Sequence, residues 1–305
     1  MKIVVLGCRG QIGWELCRAL APLGGVTALD REPRDGASCD LEDLDGLRRA
    51  LRHLEPDVIA NAAAYTDVDG AEAEPERAER VNADAPGVLA DEAARLGAWL
   101  VHYSTDYIFD GSGTAPWRED DEPRPLSVYG ASKWRGERAV RAAGCRHLIV
   151  RTQWLYAARG RNFLRKMLHL AATRDRLQVV ADQTGAPTGA DLVADVTAHA
   201  LKLALVRPEL AGTYHVAACG ETTWYGYARF LLDAARGAGL PVRPSDAAVE
   251  PVAASAFAAV ARRPANSRLD VGRVEQTFGL RLPDWRAGVT RAVAEIHACL
   301  DEEPS

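Results

Sequence analysis

The chain has 305 residues, enough for one large domain or two closely joined ones with a full core. Apolar residues make up 48% and charged residues 26%, the balance of a soluble globular protein and not of a disordered or fibrous one. A formal charge of -5 excludes a broad electrostatic hold on nucleic acid, and no apolar run is long enough to span a bilayer.

The first apolar run, Ile3–Leu6, is too short for a signal-peptide core and reads as a buried strand ahead of a glycine. Helical patterns follow at Ile12–Ala21, Leu44–His53, Pro75–Leu96 and Val128–Ala142, with strands predicted at Val26–Leu29, Val58–Ala60, Leu100–Ser104 and Leu148–Val150. Pro75 suits a helix start, where its missing N–H costs nothing, whereas Pro86 should break or kink the segment it sits in. Strands alternating with helices imply an α/β fold, a Rossmann-type doubly wound parallel sheet over residues 1–150. Beyond 150 the connections lengthen. Helical patterns at Phe163–Ala172, Asp191–Leu205, Tyr225–Ala238 and Trp285–Leu300 alternate with short strands such as Gln178–Val180 and Thr213–Val216. This is read as a smaller second α/β lobe over 151–305, interleaved with the first, which also takes in about 185–210. The six cysteines lack the spacing of a metal knuckle or a redox pair, so reduced thiols in a cytoplasm are expected.

Gly7, Gly10 and Gly13 stand between the first strand and the first helix. Glycines there let the backbone turn tightly and approach a diphosphate, which the free N–H groups at the helix start then hold. In that context the pattern points to a dinucleotide. Asp30 closes the second strand at the distance expected of an acid that bonds adenosine ribose hydroxyls, which favours NADH. Arg31 and Arg34 follow at once and fit either a 2′-phosphate, as in NADPH, or a surface loop of mixed charge. Asp40 reads equally as a contact to the adenine amino group or as the cap of the next helix.

Tyr129 and Lys133 lie four residues apart, on one helix face. An ordinary phenol is a poor acid at neutral pH, and a neighbouring ammonium favours its ionised form. With eight tyrosines and only four lysines, chance gives this spacing with odds of ~0.1. Its place after the fourth strand, in a chain with the glycine loop, carries the argument. Ser104 and Thr105 end that fourth strand, where parallel sheets bind ligands, and a hydroxyl there polarises a substrate carbonyl.

Together these features resemble the extended short-chain dehydrogenases/reductases. The strings Asn61–Asp69 (NAAAYTDVD), His102–Phe109 (HYSTDYIF), Arg151–Trp154 (RTQW), Asp182–Thr188 (DQTGAPT) and Arg263–Ser267 (RPANS) narrow the resemblance to the dTDP-4-dehydrorhamnose reductase family, over essentially the whole chain. The resemblance implies reduction of the carbon-4 ketone of dTDP-4-dehydro-L-rhamnose with NADPH or NADH. It places Thr105, Tyr129 and Lys133 in the catalytic positions. It places Gly10, Gln11, Ile12, Asp30, Asp40, Leu41, Ala64, Tyr65, Thr66 and Tyr103 at the cofactor. The sugar nucleotide falls to Thr105, Asp106 and Trp154, the last of which reads alternatively as a core aromatic of the second lobe. Gln153 stands where serine is expected, and Asp67 and Gly70 also depart from the pattern. Some relatives dimerise around magnesium; Glu15, Asp191 and Glu295 are the matching acids, and neither the metal nor a homodimer is assigned. Two other readings stay open: a reductase of another dTDP-4-keto-6-deoxy sugar, and a non-catalytic NADP-binding regulatory subunit similar to the beta subunit of methionine adenosyltransferase.

Overall fold

A computed structural model describes residues 1–32 and 39–301. Arg34 lies outside the described residues. Six parallel strands form the main sheet: β1 (Lys2–Leu6), β2 (Gly25–Leu29), β3 (Val58–Asn61), β4 (Trp99–Thr105), β5 (Arg146–Thr152) and β10 (Gly212–His215), in the order β10-β5-β4-β3-β1-β2. The chain moves outward from β1 to β2, then returns to lay β3 on the other side of β1. The loops after β1 and β3 therefore face one another at a topological switch point, where open α/β sheets bind ligands.

The period-two alternation of each strand divides two cores. Ile3, Val5, Val58, Ala60, Val101, Tyr103, Leu148 and Val150 face helices α1 (Gln11–Leu20) and α8 (Ala190–Val206). Val4, Leu6, Ile59, Leu100 and Ile149 face α2 (Leu44–Leu54), α5 (Ala85–Leu96) and α6 (Val128–Ala142). Two short helices, α3 (Val68–Ala73) and α4 (Pro75–Glu79), precede α5. The segment 75–96 is indeed divided, as two helices, α4 and α5, just before Pro86. The five residues 80–84 take a π-helical turn between α4 and α5, and Pro86 stands in the first turn of α5, where a missing N–H costs least.

A separate core gathers α7 (Phe163–Thr173), β7 (Leu177–Val180), α9 (Trp224–Gly237), β12 (Val249–Val252) and α11 (Trp285–Asp301) around Tyr227, Leu231, Trp285 and Val289. Short pairs β6 (Leu155–Tyr156) with β9 (Thr188–Gly189), and β8 (Thr184–Gly185) with β11 (Thr222–Thr223), join it to the segment that returns through α8 and β10 to the main sheet. Helix α10 (Gly272–Phe278) sends Val274 and Phe278 into the α1–α8 core. Among the described residues no helix is long and apolar enough to cross a membrane.

Candidate active site

At the β1 turn, Gly7 has φ +77, and a Cβ there would fall 2.8 Å from the Ala63 backbone across the switch point. A Cβ on Gly13 would sit 2.0 Å from the Gly7 carbonyl, so the trio is what lets α1 start tight against the loop. Gly10 is the N-cap and brings no side chain to the first-turn N–H groups, and no acid lies in that turn. Such an end is open to an anion. Ile12 is buried in the core, and the Gln11 Oε1 accepts from Asn162 Nδ2 at 2.8 Å, tying this end to the second lobe.

Asp30 follows β2. Its carboxylate accepts the Arg9 N–H at 3.2 Å and the Arg31 N–H at 2.7 Å, which fixes it beside the glycine loop. Asp40 accepts from the Glu42 N–H, whereas α2 is capped by Asp43, whose Oδ1 accepts from Gly46 N at 2.9 Å. The capping alternative for Asp40 is thereby corrected: the cap is three residues further on. The Leu41 side chain is buried in the core.

Ala64, Tyr65 and Thr66 form the loop after β3. The Tyr65 hydroxyl donates to Glu74 at 2.7 Å, which pushes its pKa up to about 12, and Arg77 lies over the ring. The phenol is engaged with Glu74, and its main chain is gripped by Asn82 of the π turn: Tyr65 N–H donates to Asn82 Oδ1 at 2.9 Å, and Asn82 Nδ2 donates to the Tyr65 carbonyl at 3.0 Å. The same Nδ2 donates to Ser132 Oγ on α6 at 3.1 Å. Asn82 was missed in the sequence. Its signal was faint: an amide of poor helix propensity four residues before a helical proline.

Ser127 caps α6 through the Gly130 N–H at 3.2 Å, and the helix carries Tyr129 and Lys133 one turn apart. Lys133 is buried, and its Nζ donates to the Tyr103 carbonyl at 2.6 Å; burial brings its pKa down to about 8, with Glu137 opposing. Burial pushes the Tyr129 hydroxyl up to about 12, against the hydrogen bond with Thr105 that lowers it. The expectation that Lys133 lowers the Tyr129 pKa is thereby corrected: burial raises it, and the ammonium one turn away is anchored to the β4 carbonyl of Tyr103. Thr105 Oγ1 in turn donates to Asp106 Oδ1 at 3.2 Å. Asp106 is buried with Oδ2 unpartnered, and burial lifts its carboxyl to about 7. Thr105 thus stands bonded to Asp106 and beside the Tyr129 phenol at the end of β4. Ser104 does not join it. Successive strand residues point to opposite faces, and its buried Oγ has no partner. The expectation that Ser104 and Thr105 act as a pair is corrected on that ground.

Trp154 takes the left-handed φ of 44, rare for a bulky residue. A Cβ on Gly185 would lie 2.7 Å from its indole, which is why glycine stands in the Gln183–Pro187 turn. The ring stacks on Trp224 with centroids 3.7 Å apart, and Trp224 Nε1 donates to Gln183 Oε1 at 3.1 Å. Trp224 is the second residue missed, since a tryptophan at a helix start is usually packing. Among the described residues no group of three or more His, Cys, Asp or Glu is placed to hold a metal ion. Glu15 pairs with Arg18, Asp191 with Arg291, and Glu295 is exposed on α11.

A parallel sheet with a glycine loop at its switch point, and a Tyr-x-x-x-Lys helix beside the end of β4, define a Rossmann-type protein of the extended short-chain dehydrogenase/reductase class. The family model for the RmlD substrate binding domain matches residues 1–298. The dTDP-4-dehydrorhamnose reductase of Escherichia coli K12 is 48% identical over 296 residues, covering 97% of this chain and 98% of that one. That of Burkholderia thailandensis is 45% identical over 301 residues, covering 97% and 99%. The crystal structure of the Bacillus anthracis dTDP-4-dehydrorhamnose reductase in complex with NADP superposes with a TM-score of 0.85 at 31% identity, covering 96% and 99%. The chain belongs to the RmlD substrate binding domain family, and within it to the dTDP-4-dehydrorhamnose reductases.

Proposed function

We propose that the chain reduces the carbon-4 ketone of dTDP-4-dehydro-L-rhamnose to give dTDP-L-rhamnose, with NADPH or NADH as reductant. The reading rests on one observation above all: Thr105, hydrogen-bonded to Asp106, stands beside the Tyr129 phenol at the sheet edge, one helical turn from a buried lysine. The bare α1 start, with Gly7, Gly10, Gln11 and Gly13, fits a diphosphate, and Asp30 fits the adenosine ribose.

A bound nicotinamide supplies hydride to the ketone carbon. Tyr129 gives its proton to the oxygen as negative charge develops there. Thr105 holds the phenol in place and disperses that charge, and the Lys133 ammonium stabilises the phenolate left behind. Lys133 begins this task bonded to the Tyr103 carbonyl, so its position is fixed before substrate arrives. Asp106 and Trp154 hold the sugar nucleotide, the indole presenting a wall kept rigid by Trp224. The reduced cysteines agree with a cytoplasmic setting. An intact proton-transfer site is not needed by a purely regulatory subunit, which disfavours that alternative.

The reading is tested by following NADPH and NADH absorbance against a panel of dTDP-4-keto-6-deoxy sugars. The rhamnose precursor should be consumed fastest. Preference for another member of the panel would reassign the sugar, and no oxidation with any of them would overturn the reading.

A further inference from the structure

We propose that Glu137 is a positioning residue for the reduction: joined to Arg151 in a buried ion pair, its carboxylate faces the catalytic lysine and keeps Lys133 in the ammonium form. The inference rests on the reductase reading and deepens it. Residues 129, 133 and 137 follow at single-turn intervals, so the phenol, the ammonium and the Glu137 carboxylate share one face of α6. That face lies against β4 and β5. Lys133 Nζ donates to the Tyr103 carbonyl of β4. One turn further on, Arg151 of β5 grips Glu137 with both arms, Nε to Oε1 at 2.9 Å and Nη2 to Oε2 at 2.8 Å. Both side chains are sealed from water, at 1% and 0% exposure. Arg141, from the next turn of α6, adds a bond to Oε2 at 2.8 Å, and Arg151 Nη1 donates to the Glu119 carbonyl at 3.0 Å.

A buried ion pair contributes little to stability beyond an apolar pair of the same shape, so its place beside a working charge calls for another reason. The groups packed around Lys133 leave the task to Glu137. His102 of β4 is buried and pulled well below its usual range, hence neutral, and burial holds the Tyr129 phenol neutral up to about 12. Asn82 of the π turn and Ser132 bring no charge, and Asp106 stands beyond the phenol, bonded to Thr105. Glu79 of α4 is engaged by Arg135 on the exposed side of the helix. Behind Glu137, His215 of β10 is held neutral by burial and by Arg151, while Glu119 accepts the His215 N–H and pairs with Arg273 of α10. Burial works to strip Lys133 of its proton, and the Glu137 carboxylate opposes it. Arg151 has two effects on that balance. It fixes the carboxylate in place, and its own charge offsets part of the pull on the lysine. Removing one partner or the other should therefore move Lys133 in opposite directions.

The test exploits the scarcity of lysine, four in the chain. Lys133 is titrated by nuclear magnetic resonance in protein labelled with carbon-13 at the lysine ε carbons, its signal assigned by its loss in Lys133→Met. The alkaline limb of kcat/KM is followed in parallel. Glu137→Gln should lower the midpoint by about one pH unit from its wild-type value of about 8, the scale of one nearby opposite charge lost. Arg151→Met frees the carboxylate from its bidentate cation and should raise the midpoint by a similar amount. The double variant loses both charges and should return close to wild type. Should Glu137→Gln not fold, Arg151→Met and the double variant, whose neutral pair suits a buried site, read the same coupling. A midpoint that stays in place, or moves the same way in both single variants, is the mark of a purely structural clamp and overturns the proposal. A midpoint that moves while the kinetic limb stays fixed removes Glu137 from the reaction and overturns it equally. If the wild-type chain consumes no NADPH with the sugar, the reductase reading itself fails, a result kept distinct by the resonance titration, which needs no substrate.

Discussion

Around Tyr129 the ionisable groups are buried: Lys133 and Asp106 are both shielded from water and displaced towards neutrality. Around the half-buried Asp30 they are exposed, Arg9 and Glu32 forming a screened ion pair beside a carboxylate held by main-chain N–H groups. Both lie at the carboxyl edge of one sheet, yet they do different work. Burial moves pKa values by units, bringing Lys133 and Asp106 towards neutral pH and carrying the Tyr129 phenol away from it. Exposure leaves charges at ordinary strength, where they steer and discriminate at little cost. Substitutions at the buried end should therefore change rates and pH profiles, and substitutions at the exposed end should change cofactor affinity.

The largest effect is expected from Tyr129→Phe, which should lower kcat by about 10²–10⁴, the range for loss of a positioned acid, with NADPH affinity by fluorescence little changed. Comparable turnover would remove the phenol from the mechanism. Lys133→Met should weaken both turnover and cofactor binding, each by about tenfold or more. The wild-type pH profile carries the same point. In the proposed mechanism the ammonium is the working form, with its pKa brought to about 8, so kcat/KM should fall as pH rises through that value. A profile flat to pH 10 would make the lysine structural.

Asn82→Ala would blur the comparison, because it frees both the Tyr65 loop and Ser132 of α6. We expect a stability loss of about 1–3 kcal/mol by thermal or urea unfolding, the cost of leaving buried partners unmatched, with weaker cofactor binding. Stability equal to wild type would show that the π turn holds without it. The smallest effect is a gain. Asp106 has a pKa raised from 3.8 to about 7, so its contribution to stability is full below 3.8 and is lost as pH rises through 7. Asp106→Asn should therefore melt higher than wild type at pH 8 by roughly 2–4 °C, and this advantage should vanish near pH 4. An advantage larger at pH 4 than at pH 8 would reverse the assigned direction.

Much of this was legible beforehand because regular elements announce themselves through periodicity. The strand at β4, the helix Val128–Ala142 and the glycine turn all follow from patterns local to a few residues. What was illegible depends on contacts between distant segments. One miss was local instead: the turn from Asp40 to Asp43 comes before the helix, so Asp43, not Asp40, caps α2. Pro86 could be seen to disturb a helix, but a π turn ahead of it needed the partners of Asn82, which come from the β3 loop and α6. The Thr105–Asp106 bond was within reach of the strand end, but the pleat that turns Ser104 away became visible only once register was fixed. Trp224 lies 70 residues beyond Trp154 in sequence, and only the fold stacks them.

The most direct test of the central claim is to supply NADPH deuterated at the transferable position of nicotinamide carbon 4, with dTDP-4-dehydro-L-rhamnose as substrate, and to locate the label in the product. The account predicts deuterium on sugar carbon 4 of dTDP-L-rhamnose, in step with NADPH consumed. Label retained on the nicotinamide, or NADPH oxidised with no label on the sugar, would contradict it.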